Sequence, residues 1–189
     1  MATKQVIPTP IEGVTVELQP MIGTFQGSVI HMMPGGVQNP EGFGQDTLDV
    51  YGFTAKGKNV FRGGHYHPKL NELFFTLTGT ALWILSDFRE GSSTQGTTYA
   101  LILSIDKPLE THDFPVYALE DGTFPRLRVP AGVYHAVFPL TDERITTVAI
   151  GSTAYDKEDY RYPKPEDVPG MQKILNKIGF TLTNEQVNK

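Results

Sequence analysis

Cysteine is absent from all 189 residues. That excludes disulfides, thiolate metal sites and a cysteine nucleophile, so any metal must rest on nitrogen and oxygen donors. It also agrees with a reducing compartment. No block of lysine and arginine forms a nucleic-acid footprint. The 16 basic and 21 acidic residues give a net charge of −5, which leaves room for an anionic substrate because a pocket can be locally basic. A long apolar run is missing too. The start, Met1-Ala2-Thr3-Lys4-Gln5-Val6-Ile7-Pro8, has the pattern of neither a signal peptide nor a membrane span, and the expectation is a cytoplasmic protein. No internal repeat or low-complexity tract is visible.

What is present is dense punctuation. Glycine at 19 and proline at 14 favour many short strands over long helices. Short apolar runs alternate with turn signals from about residue 14 to 150. Strands are expected at 27–33, 48–54, 72–78, 81–86, 97–103, 126–129 and 146–150, separated by turns such as Pro34-Gly35-Gly36, Gly63-Gly64 and Ala131-Gly132. Regular spacing of this kind predicts an all-β sandwich or barrel. One domain over 1–189 is expected at this length, with a barrel over about 14–155 and an extension over 156–189. In that extension 156–167 is polar and proline-rich. Met171, Ile174, Leu175 and Ile178 then follow the i, i+3, i+4, i+7 pattern of a short amphipathic helix stopped by Gly179. The extension reads as structural, a helix on the outside of the barrel, and the polar end from Thr181 onward reads as dispensable.

The stretch that carries chemistry is Arg62-Gly63-Gly64-His65-Tyr66-His67-Pro68-Lys69-Leu70-Asn71-Glu72. Alternate side chains of a strand share a face, so His65 and His67 would point the same way, roughly 7 Å apart at the backbone. Two imidazoles at that spacing can converge on one ion, and Glu72, opening the next strand, can add a carboxylate oxygen. Further on, Pro130-Ala131-Gly132-Val133-Tyr134-His135 makes a tight turn and places His135 on the strand after it. Three nitrogens and one oxygen with open positions suit one divalent Fe, Mn, Ni, Co or Zn. Calcium prefers oxygen-only ligands. His31 and His112 fall outside both segments and receive no role.

Together these segments read His-x-His-x4-Glu-x6-Gly, ending at Gly79, and Pro-x-Gly-x2-His. They resemble the two motifs of the cupin superfamily. The resemblance implies a single-domain jelly roll, a double-stranded β-helix, with His65, His67, Glu72 and His135 pointing inward at one metal. A more specific likeness runs from about residue 48 to 155. Lys58-Asn59-Val60-Phe61-Arg62-Gly63-Gly64-His65-Tyr66, the turn from Asp87-Phe88-Arg89 to Ser92-Ser93-Thr94-Gln95-Gly96, and Thr153-Ala154-Tyr155 are similar to the dTDP-4-dehydrorhamnose 3,5-epimerases. That likeness implies His65 as general base, Arg62 in contact with substrate and Tyr155 as general acid. Arg62 to His67, with the tail from Ala154 to Tyr160, also resembles the 3,4-ketoisomerases of nucleotide-sugar pathways. Gly64 to His67 is similar to archaeal cupin-type glucose-6-phosphate isomerases.

Two departures change the chemistry that the likeness implies. Glu72 stands where the epimerases place a catalytic lysine, and His67 where they place glutamine, which converts an epimerase site into a metal site. A divalent ion could take over the lysine's electrostatic task. A histidine that holds an ion through its free nitrogen is a poor base, so Tyr66 and Tyr134 enter as bases by proximity in sequence; as wall aromatics they have a plainer explanation. Three functions follow: a metal-dependent isomerase or epimerase of a sugar nucleotide or phosphorylated sugar, an Fe dioxygenase, and a small-molecule-binding cupin without catalysis. Fold alone does not choose among them. Sheet edges need covering, and a homodimer is expected.

Overall fold

The computed structural model describes residues 4–24, 27–30, 32, 49–58, 60–106, 113–119 and 122–182. His31 and His112 lie outside them, as do parts of the strands expected at 27–33 and 48–54. The elements are β1 (Gln5–Pro8), β2 (Thr15–Thr24), β3 (Gly27–Ile30), β4 (Asp49–Lys56), β5 (Arg62–His65), β6 (Glu72–Thr78), β7 (Thr80–Asp87), β8 (Thr98–Ser104), β9 (Val116–Ala118), β10 (Thr123–Val129), β11 (Val133–Pro139), β12 (Arg144–Gly151) and α1 (Met171–Lys177). One sheet runs β1-β2-β10-β6-β12-β4, with β3 on β2; the other runs β5-β11-β7-β8-β9. Consecutive strands β10, β11 and β12 alternate between the sheets, as a jelly roll requires. All-β architecture with one short helix is as expected.

The two sheets enclose a core of Phe74, Trp83, Leu85, Leu101, Leu103, Leu127, Val137 and Ala149. Strand β7 is buried along its whole length, which explains its apolar run from Ala81 to Leu85. Trp83 and Leu85 face the interior, while Leu82 and Ile84 face outward against Met171, Leu175 and Phe180. The extension thus covers the outer face of the smaller sheet. Helix α1 has no side-chain cap at Gly170, and at seven residues it is too short to stand alone. Burial of Met171 and Leu175, about 2 kcal/mol each, holds it in place. It ends as the sequence predicts. Gly179 is left-handed at φ 64°, and the amides of Gly179 and Phe180 return to the carbonyls of Asn176 and Leu175.

Some elements depart from expectation. Strands β1 and β2 lie at or before the expected start of the barrel. In β2 Val16 and Leu18 pack into the core, and Glu17 between them is buried on the opposite face, where it accepts hydrogen bonds from Arg126 and Arg128 of β10. The end from Thr181 is not all dispensable, since Leu182 packs against the cluster around Phe138 and Phe180. No helix among the described residues is long and apolar enough to cross a membrane.

Candidate functional site

His65 and His135 lie directly opposite each other across the β5–β11 pair. A register shift follows between His135 and Ala136, and Gly63 makes it sterically possible. Gly63 sits at φ +79°, and a Cβ there would come within 2.7 Å of the His135 carbonyl, so only glycine fits. β5 ends at His65 rather than running through His67. Tyr66 instead forms an isolated antiparallel bridge with Arg161, and His67 follows outside any strand. Alternation survives: the His65 and His67 rings are 4.8 Å apart, as are His65 and His135.

The turn at Pro130-Ala131-Gly132 ties the two histidine segments together. The Gly132 amide donates to the His67 carbonyl at 2.7 Å, and the Ala131 amide donates to Asn71 Oδ1 at 3.1 Å. Gly132, at φ +80°, also leaves the space that the Arg89 side chain crosses. Arg89 donates to buried Asp87. Burial works against ionisation of Asp87, but hydrogen bonds from Arg89, Ser92 and Thr94 hold its carboxyl below the ordinary carboxylate range. The Ser/Thr/Gly turn is therefore knotted around one carboxylate.

Donor atoms of His65, His67 and His135 all lie within 4.8 Å of one another. Glu72 adds Oε2 beside two of them, 3.8 Å from His67 Nε2 and 3.4 Å from His135 Nε2. Its Oε1 accepts a hydrogen bond from the Tyr51 hydroxyl. Nδ1 of His67 lies 2.7 Å from the Asp159 carbonyl, which can only accept, so Nδ1 carries a proton and, in the neutral ring, Nε2 is bare. That Nε2 is buried and has no hydrogen-bond partner. An orphaned, lone-pair-bearing nitrogen beside two more imidazoles and a carboxylate is a donor set that fits a divalent transition ion.

Electrostatics point the same way. Burial, then the neighbouring imidazoles, pushes His65 down to about 2 and His135 down to about 3. Both are neutral at pH 7, with a lone pair free for a proton or an ion. Burial raises Glu72 to about 7, a penalty that a cation beside Oε2 would reverse.

The trio opens on a cavity of about 480 Å³ lined by His65 and His135, with Arg62 and Lys164 also on its walls. Arg62 thus shares the cavity with His65 and His135. Tyr134 also lines it; Tyr66 stacks on Phe88 at 5.3 Å, and both tyrosines belong to the apolar cluster on the sheet's outer face. Tyr155 is 70% exposed and lines an adjoining hollow of about 260 Å³. Tyr160 lines both spaces, its ring 4.9 Å from His65 and 4.3 Å from His67. Tyr162 stacks on Tyr160 at 5.9 Å.

Sequence reasoning missed Tyr51, Asp159, Tyr160 and Tyr162 as site residues. For the tyrosines a signal existed: Tyr155, Tyr160 and Tyr162 crowd a short polar stretch, and aromatics in a loop commonly mark a binding surface. The extension taken as structural supplies part of the site.

No family model matches the chain. It is 26% identical over 144 residues to the spore coat polysaccharide biosynthesis protein SpsL of Bacillus subtilis (strain 168), covering 75% of this chain and 81% of that one. Among solved structures it is similar to dTDP-4-dehydrorhamnose 3,5-epimerase from Elizabethkingia anophelis NUHP1, with a TM-score of 0.72, 17% identity and 99% and 95% of the two chains covered. It is also similar to ChmJ, a 3'-monoepimerase from Streptomyces bikiniensis solved with dTDP-quinovose, with a TM-score of 0.68, 21% identity and 96% and 85% coverage. A dTDP sugar isomerase from Desulfovibrio desulfuricans G20 matches with a TM-score of 0.62, 20% identity and 83% and 87% coverage. At these identities the structural likeness establishes the fold: this chain shares the jelly roll of those proteins.

Proposed function

We propose that this chain is an isomerase or epimerase of a nucleotide-linked or phosphorylated keto sugar, moving a proton beside the ketone. The observation that carries the reading is the cluster of His65, His67 and His135 beside a cavity of about 480 Å³ whose walls also hold Arg62 and Lys164. The described activities of the similar structures, and the polysaccharide role of the Bacillus relative, support it.

Each residue has a task in this reading. Arg62 holds an anionic group of the substrate through its planar fork. His65, His67 and His135, with Glu72, hold one divalent metal; such an ion, when bound, stabilises negative charge on an enolate oxygen. Loss and return of the carbon proton need a base and an acid within reach. The acid is a phenol of the segment after β12, and Tyr160, in ring contact with His65 and His67, is better placed than the more exposed Tyr155. His65 has two employments that exclude each other, since a ring nitrogen that holds an ion cannot accept a proton. Metal content decides between them: a loaded site makes His65 a ligand, a site without metal makes it the base.

Solvent-deuterium exchange into a dTDP-4-keto-6-deoxy sugar tests the function. Incorporation beside the ketone is expected. Neither binding nor exchange, with this sugar or with sugar phosphates, would sink the reading. Oxygen uptake by the Fe-loaded protein would then favour the dioxygenase.

A further inference from the structure

We propose that Asp159 is a positioning residue for His67, and that it acts by clamping the chain on both sides of that imidazole's contact with the C-terminal extension. The proposal rests on the reading of His67 as a metal ligand and extends it to a residue far away in the chain. Asp159 is 5% exposed. Its backbone carbonyl accepts the Nδ1 proton of His67 at 2.7 Å. Its carboxylate accepts the amides of Lys69 at 3.0 Å and Leu70 at 3.1 Å, one on each oxygen. The connection from His67 to Glu72 is thus capped by the same residue that fixes the ring.

The arrangement has a chemical consequence. A neutral imidazole carries its proton on either nitrogen, and the partner of one nitrogen selects the state of the other. A carbonyl at Nδ1 leaves the Nε2 lone pair facing Oε2 of Glu72 and the other two rings. Outer partners of this kind orient metal-binding histidines and raise their basicity. The carbonyl can do this only if the backbone at 159 is held still. The carboxylate bonds to Lys69 and Leu70 supply that restraint, and so does the reciprocal Tyr66–Arg161 backbone pair, at 3.0 Å in both directions. Residue 159 lies 92 positions from His67, and no periodicity connects them.

The test compares wild type with Asp159→Ala and with the near-isosteric Asp159→Asn, whose one side-chain oxygen keeps part of the clamp. Nitrogen-15 NMR of the histidine rings reports the His67 tautomer, and titration with Co²⁺ and Zn²⁺ reports affinity. Expected are an Nδ1–H tautomer in wild type, a mixed tautomer in Asp159→Ala, and a loss of affinity of roughly 10- to 100-fold, with Asp159→Asn between. If the alanine variant does not fold, the asparagine variant carries the comparison. A lowered Tm with tautomer unchanged and affinity within twofold would reduce Asp159 to a structural role and overturn the proposal. If wild type takes up neither ion, the metal reading fails, while the tautomer comparison still decides what Asp159 does.

Discussion

The Tyr51 hydroxyl donates to Oε1 of Glu72, and this turns Oε2 toward His67 and His135. A carboxylate in the core is costly to ionise, and Tyr51 shares the burden: burial, then the charge of Glu72, pushes its phenol well above the ordinary range. Tyr51 therefore stays protonated and remains a donor. The hydrogen bond from Tyr51 works against the burial that holds the proton on Glu72 and orients its carboxyl group at the edge of the histidine trio.

Metal analysis gives the most direct check. Purified protein is expected to carry close to one transition metal per chain. His67→Ala and Glu72→Ala should each cut affinity more than roughly tenfold while circular dichroism stays β-dominated. No metal in the wild type, and no thermal shift on adding Mn, Ni or Zn, would refute the site.

Acid sensitivity of the metal-free protein follows from the buried imidazoles. His65 and His135 are held near 2 and 3, so the unfolded chain binds protons first as pH falls below about 6.5, and stability falls with it. Glu72, raised to about 7, acts oppositely: the folded chain keeps its proton longer, and stability falls as pH rises from about 4.5 to 7. Two imidazoles outweigh one carboxyl between pH 4.5 and 6.5. Replacing His135 by Gln should reduce the slope of stability against pH there by about one proton, ~1.4 kcal/mol per pH unit. Denaturant titrations at several pH values after chelation measure it; equal slopes in the two proteins would contradict the burial argument.

Recognition of the substrate's anionic end is tested at Arg62. Arg62→Lys keeps the charge but loses the two-pronged hydrogen bond, and is expected to weaken binding of dTDP-sugars or sugar phosphates about tenfold with little change in metal retention. Calorimetry on both variants separates the two effects.

Tyr160 and Tyr155 are distinguished by paired phenylalanine variants. Tyr160→Phe should lower turnover by about 10² or more with binding preserved, and Tyr155→Phe should stay within roughly threefold of wild type. The reverse order would return the acid role to Tyr155.

Much of the site was legible because strand geometry is periodic. His65 and His67 share a face by alternation, and Glu72 and His135 stand at fixed offsets from glycine turns. Asp159 and Tyr160 were not legible. Their stretch is polar and proline-rich, carries no period, and reaches the site through backbone pairing at Tyr66 and Arg161, which any sequence can make. Tyr51 looked like an ordinary strand residue, since nothing local reveals which carboxylate its hydroxyl will meet. Strand β2 escaped notice although Val14, Val16 and Leu18 alternate with Thr15, Glu17 and Gln19, the period of a strand.

Phe180 links the extension to the cavity wall. It packs edge-on against Phe138 at 4.9 Å and Phe61 at 6.4 Å, and Phe61 lines the cavity. Phe180→Ala is expected to cost about 3 kcal/mol by chemical denaturation. A cost below about 1 kcal/mol would mean that the extension is not part of the cooperative core.

The backbone bridge between Tyr66 and Arg161 also sets an order of events during biosynthesis. The barrel strands through β12 leave the ribosome before residue 159 does, so His67 emerges well ahead of the residue that anchors its ring. His67 gains the carbonyl partner of its Nδ1 only after residue 159 has emerged and the extension has docked. Completion of the histidine trio's surroundings is in this way coupled to completion of translation beyond the barrel.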